Sequence, residues 1–221
     1  GHMYVDHYVL KHNLFAKAMR KVDPSIVLVA SGATLFEINT TARHHRVPLP
    51  AKLPYEYGSP QDWSGNLLLH SSDYFEYISE HLYPVTDSAF DVDEQQFVKT
   101  NDPIEDQIRR VPNRVRAAVE AWDEYVRRMP QLKDKHIKLA IDEWAGGGRR
   151  GFERALCVAE GLQEMFRHSE VIQMAAYTAF ISNLAFDGND ATLSPVGLVF
   201  KLYQDNLDLF FRPNVHLEIG L

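Results

Sequence analysis

An α/β fold built on a parallel sheet is what this sequence predicts, and three observations carry that expectation. Short apolar runs rich in β-branched residues recur at 26–30, 137–141 and 171–177, with a further strand-like run at 74–79. Helix-periodic stretches follow these runs along the chain, and strand alternating with helix means βαβ units. The composition is that of an ordinary globular protein: 221 residues, 45 % hydrophobic and 24 % charged.

The first element is a helix. Leu10, Leu14, Phe15, Ala18, Met19 and Val22 recur at spacings of three and four, so they share one of its faces. Asp23-Pro24 stops it, because proline disfavours the α conformation of the residue before it. Residues 26–30 are apolar on both strand faces, as in a buried parallel strand. Residues 33–70 read as irregular, broken by Pro48, Pro50, Pro54, Pro60, Gly58 and Gly65. Within them, Asp62-Trp63-Ser64-Gly65 either rims a pocket or starts a short helix. The 74–79 strand leads into Glu80-His81-Leu82-Tyr83-Pro84. Asn101-Asp102-Pro103 starts a long helix, with a capping side chain and then proline in the first turn. Its inward face is Ile108, Val111, Val115, Val119, Trp122, Val126 and Met129, and Pro112 is expected to kink it. The 137–141 strand ends in Asp142-Glu143-Trp144 and then Gly146-Gly147-Gly148. The next helix gathers Phe152, Leu156, Ala159, Leu162 and Phe166 on one side. After the 171–177 strand, Ser194-Pro195 caps a last helix with Val196, Val199, Phe200, Tyr203 and Leu207 inward.

Charge and composition exclude several roles. Thirty acidic against 23 basic residues, with no lysine or arginine run, give no electrostatic reason to bind nucleic acid or an anionic membrane. A single cysteine, Cys157, excludes an internal disulfide framework. No apolar stretch reaches the ~18 residues of a membrane span, and the first residues carry no signal-peptide core, so a cytoplasmic location is expected. His44, His45 and His70 lack zinc-type spacing, so no metal and no cofactor is expected. Gly146-Gly147-Gly148 continues into Arg149-Arg150 rather than Lys-Ser/Thr, so it is no phosphate loop.

The chemistry-bearing residues lie where parallel α/β folds bind ligands, at the carboxyl ends of strands. Asp142 and Glu143 stand at such an end. By position alone an acidic pair there can also cap the next helix or solvate a loop. Trp144 beside them suits the face of a sugar. Ser79, His81 and Tyr83 alternate along the neighbouring strand and point the same way while the strand persists. A tyrosine hydroxyl or an imidazole from that strand can orient the Glu143 carboxylate, although His81 can equally be a core histidine satisfied by backbone. Cys157, one residue past Leu156 on a helix, reads as a packing residue.

Three stretches in this order resemble a known family. They are Ala18-Met19-Arg20-Lys21-Val22-Asp23-Pro24-Ser25-Ile26, Ile78-Ser79-Glu80-His81-Leu82-Tyr83 and Asp142-Glu143-Trp144. Together, and across about residues 4–205, the chain resembles the α-L-arabinofuranosidases of glycoside hydrolase family 51. The resemblance implies a (β/α)8 TIM barrel and a retaining glycosidase that releases terminal arabinofuranosyl groups from hemicellulose-type oligosaccharides and polysaccharides. It implies Glu143 as the catalytic nucleophile at the end of barrel strand seven. It also implies His81, Tyr83, Trp144 and Asn183 as residues lining the sugar site. Where the family often has a substrate-binding glutamine, this chain has Phe180.

A retaining glycosidase needs two carboxyl groups about 5–5.5 Å apart, one a nucleophile and one an acid/base. In the family the acid/base glutamate follows Gly-Asn at the end of strand four, and no Gly-Asn-Glu occurs here. The expectation is therefore a partial (β/α)8 barrel, strands five to eight with their helices, over residues 4–210. Residues 211–221 would be the exit from the barrel. Alone, such a chain is expected to be inactive or very weak, and to self-associate through its exposed strand edges. Two rivals stand beside this reading: a non-catalytic carbohydrate-binding or scaffold half-barrel, and a complete small glycosidase using Glu80 or Asp142 as the acid.

Overall fold

The computed structural model describes residues 3–33, 56–84, 88–91, 96–99, 103–146, 151–178 and 183–206. Four strands form one parallel sheet: β1 (Val29–Ser31), β2 (Tyr77–Leu82), β5 (Lys138–Trp144) and β6 (Ile172–Tyr177). They lie side by side in the order β1-β2-β5-β6, which is also their order along the chain. A single main core joins the helices to one face of this sheet, through Ala30, Ile78, Leu82, Leu139, Ile141 and Trp144. A sheet with sequential parallel strands and a core on one face is a wall of a barrel rather than a doubly wound sheet.

The first helix, α1 (Val5–Val22), stops as expected, and the Asp23 carboxylate accepts from the Ser25 N–H and hydroxyl. Its orientation is less obvious from the sequence. Ala16 is buried and Tyr8 and Val9 pack on the core, while Leu10, Leu14, Phe15, Met19 and Val22 are exposed. The helix carries apolar residues on more than one side, so periodicity finds a face without saying which one is covered. β1 is shorter than its apolar run, and only Ala30 of its three residues is buried. The expectation of two buried faces thus fails, because Val29 lies on the open side of the sheet.

Part of the stretch expected to be irregular is helical. Asp62 caps α2 (Trp63–Ser71), its Oδ1 accepting from Gly65 N–H at 2.9 Å. Asp62 is completely buried, and also accepts from Gly58 N–H at 2.6 Å and the Tyr125 hydroxyl at 2.5 Å. Burial of Tyr125 itself, and then the Asp62 charge, push its hydroxyl far above its ordinary pKa.

Two hairpins of four-residue strands lie where the sequence pattern predicts none: β3 (Ser88–Asp91) with β4 (Gln96–Lys99), and β7 (Leu184–Asp187) with β8 (Asp190–Leu193). The second turns through Gly188 at φ 61°, a conformation that favours glycine.

α3 (Ile104–Arg128) begins behind Pro103 and buries Val111, Val115, Val119, Trp122 and Tyr125, close to the expected face. It is continuous across Pro112, which is itself buried. α4 (Phe152–Arg167) is turned by one residue from expectation. Ala155, Val158, Leu162 and Met165 face inward, and Phe152 is exposed. The reason is Gly161: a Cβ there would come within 2.6 Å of Val111 Cγ1, so the small residue marks the side on which α3 and α4 meet. Ser194 caps α5 (Pro195–Asp205) by accepting from Gly197 N–H, and Val196 and Tyr203 are buried as expected. Leu207 and residues 211–221 lie outside the described residues.

Candidate active site

The strand ends of β2, β5 and β6 meet around one carboxylate. Pairing sets His81 opposite Glu143, and Trp144 opposite both Leu82 and Tyr177. In a regular strand Asp142 and Glu143 would point to opposite faces. Here the pairing with β2 shifts between Ser79 and His81, and the pairing with β6 shifts between Ile141 and Trp144. These irregularities let both carboxylates reach the open face. Tyr83, just past β2, donates its hydroxyl to Glu143 Oε1 at 2.5 Å. His81 Nδ1 lies 3.1 Å from Glu143 Oε2, and its Nε2 lies 3.5 Å from Asp142 Oδ1. Ser79 donates to the same Asp142 oxygen at 2.5 Å. Ser79, His81 and Tyr83 therefore do share a face, as their alternation predicts.

Glu143 is half-exposed, gripped at one oxygen by a phenol and approached at the other by an imidazole. Both carboxylate oxygens of Glu143 thus have a polar partner. Tyr83 is held protonated in return. Partial burial first, then the hydrogen bond to Glu143 and its negative charge, raise the phenol above its ordinary pKa, while a contact with Thr178 works the other way. A carboxylate oriented at the open end of a parallel sheet is placed for nucleophilic attack on an electrophilic carbon.

Other candidates stand elsewhere. Trp144 is 1 % exposed and its ring lies in the core, edge-on to Tyr177 at 5.0 Å, so it offers no face to a sugar. Strand alternation sends the residue after Glu143 to the helix side. Asn183 sits at the root of β7, where its carbonyl accepts from Ser194 N–H, and no contact among the described residues joins it to Glu143. Glu80 is buried, with its Oε1 accepting from the Ser64 hydroxyl, which removes it as a sugar-facing acid. Phe180, His44 and His45 lie outside the described residues. Burial pushes the Cys157 thiol up to about 11, far from a nucleophile's value. Among the described residues no group of three histidine, cysteine or acidic side chains is placed to hold a metal ion. None of their helices is long and apolar enough to cross a membrane.

Thr178 is the residue that sequence reasoning missed. Its Oγ1 lies 2.6 Å from the Tyr83 hydroxyl and 3.0 Å from the Trp144 carbonyl. The available signal was positional: it is the first residue beyond β6, at the same carboxyl end as Tyr83 and Glu143.

No protein-family profile matches the chain. Over 144 residues, 65 % of this chain, it is 30 % identical to an intracellular exo-α-(1→5)-L-arabinofuranosidase of Acetivibrio thermocellus. A solved α-L-arabinofuranosidase of Thermotoga maritima, in complex with arabinose, superposes on 91 % of the chain with a TM-score of 0.63 at 16 % identity. A family 51 α-L-arabinofuranosidase from Bifidobacterium longum does so over 92 % with a TM-score of 0.64 at 14 % identity. The chain spans only 22 % of the first of these proteins and 36 % and 40 % of the two solved chains. It is thus similar in sequence to a segment of an arabinofuranosidase, and its α/β fold is that of part of the family 51 arabinofuranosidase structures.

Proposed function

We propose that this chain is the nucleophile-bearing part of a retaining, α-L-arabinofuranosidase-like glycoside hydrolase. The observation that carries the proposal is the Glu143 carboxylate, held between Tyr83 and His81 at the open end of the parallel sheet. Glu143 attacks the anomeric carbon of a terminal arabinofuranosyl group and forms a glycosyl ester as the aglycone oxygen leaves with the bonding electrons. Tyr83 and His81 aim the carboxylate, and water later cleaves the ester. Trp144, buried in the core, carries no substrate contact in this reading, while Asn183 is kept as a residue lining the sugar site. The proposed catalytic unit covers residues 4–210, with 211–221 leading out of it.

The same reading makes the isolated chain a poor hydrolase. The two other carboxyl groups of β2 and β5 are already engaged. Asp142 is its sequence neighbour and is tied to Ser79 and His81, and Glu80 is buried. A substrate whose leaving group needs no protonation tests the nucleophile separately. A 2-fluoro arabinofuranosyl donor with a dinitrophenolate leaving group should label the peptide containing Glu143, detected by mass spectrometry, and should not label Glu143→Gln. Absence of label on Glu143 overturns the proposal. Binding of arabino-oligosaccharides without label would favour a non-catalytic carbohydrate-binding module instead.

Two further expectations belong to this reading. The outer edges of β1 and β6 are unpaired among the described residues, and Val29 and Met174 on these strands are exposed. Self-association through these edges is expected, and a monodisperse monomer by light scattering would count against it. A cytoplasmic location is supported by the word intracellular in the name of the Acetivibrio relative.

A further inference from the structure

We propose that Thr178 is a positioning residue for Glu143, acting through Tyr83: its hydroxyl donates to the Tyr83 oxygen and so directs the single phenolic proton onto the carboxylate. The proposal rests on the reading of Glu143 as the working carboxylate, and on a count of protons. Three contacts run in line from Glu143 Oε1 to the Tyr83 hydroxyl (2.5 Å), on to Thr178 Oγ1 (2.6 Å), and on to the Trp144 carbonyl (3.0 Å). With Glu143 ionised, the two ends of this line only accept, and the two hydroxyls between them hold two protons. One contact must go without.

Geometry decides which one. The Trp144 carbonyl already accepts the Thr178 backbone N–H at 3.0 Å, so it does not depend on the hydroxyl. The Tyr83–Thr178 contact is the shorter of the two open to the threonine proton. The favoured arrangement is therefore Thr178 O–H to Tyr83, and Tyr83 O–H to Glu143. A phenol that accepts one hydrogen bond becomes a stronger donor of the next. The chain also ties the carboxyl ends of β2, β5 and β6 together, and the backbone bond from Thr178 to Trp144 fixes the donor in place.

The groups facing Tyr83 are Glu143, with His81 and Asp142 behind it, and Thr178 from the end of β6. Removing the threonine donor should make the phenolate harder to form, which agrees with the lowering influence of Thr178 on Tyr83.

The test tracks the ¹³Cζ resonance of Tyr83 against pH in the full chain, assigned by its loss in Tyr83→Phe. Thr178→Val and Thr178→Ala should both move the Tyr83 ionisation to higher pH, and Thr178→Ser should restore the wild-type position. A Tyr83 titration unmoved in the valine and alanine variants overturns the proposal, as does a serine variant that behaves like valine. Covalent labelling of Glu143 reports separately on the function. A shifted titration without label would keep the hydrogen-bond chain and remove the glycosidase reading. Label with an unshifted titration would do the reverse.

Discussion

The two faces of β5 are built on opposite terms. Toward the helices it presents Leu139, Ile141 and Trp144, each 1 % exposed or less. Toward the open side it presents Asp142 and Glu143, each roughly two-fifths exposed and each answered by a named polar partner. The first face is held by packing, where volume matters and charge would be costly. The second is held by directional contacts, where removing one group alters aim more than stability. Seven residues of backbone serve both because the pairing irregularities break the alternation at the point where chemistry needs two carboxylates together.

Substitutions on each face should separate these terms. Trp144→Ala opens the core beside Gly161 and Phe200, and should cost about 3–5 kcal/mol in urea unfolding. If it costs under about 1 kcal/mol, the helix-side face is not the stabilising one. Asp62→Ala removes a buried acceptor of three hydrogen bonds at the start of α2 and should cost about 2–4 kcal/mol in the same measurement. Glu143→Gln should stay within about 1 kcal/mol of wild type while abolishing covalent label. A large loss of stability in that variant would mean that the open face is structural after all.

The smallest effect tests an exposed site on α3. Arg127 and Arg128 hydrogen-bond the Glu124 carboxylate and hold it well below its ordinary value, at about 2. A depressed folded-state pKa contributes stability above the unfolded value near 4.5, and the contribution fades as pH falls through about 2. Solvent screening keeps it to about 0.5 kcal/mol. Glu124→Gln should therefore flatten the acid limb of stability against pH between these values by that amount, measured by denaturant unfolding at each pH.

The parallel strands and the polar face of β2 were legible because both rest on local rules. Apolar runs mark strands, and alternation places Ser79, His81 and Tyr83 together. The illegible parts depended on partners distant in sequence. Leu10, Phe15 and Met19 look like a core face until one sees that α1 packs through Ala16 instead. The rotation of α4 is set by Gly161 against Val111, 50 positions earlier. Trp144 looks like a sugar platform because it adjoins Glu143, yet its ring packs on Tyr177 and Phe200 in the core. Thr178 carries no motif, and its role arises only once β6 lies beside β5.

Trp144 belongs to two neighbourhoods at once. Its ring is wedged among Tyr177, Phe200 and the helix face at Gly161, and its carbonyl receives Thr178 at the mouth of the site. Any change in core volume that tilts the indole also swings that carbonyl, and with it the threonine, the phenol and the carboxylate oxygen in turn. The core thus acts as the mount of an optical bench. Its stiffness sets how finely the nucleophile is pointed, and an error of about 1 Å at such a site can cost a hundredfold in rate.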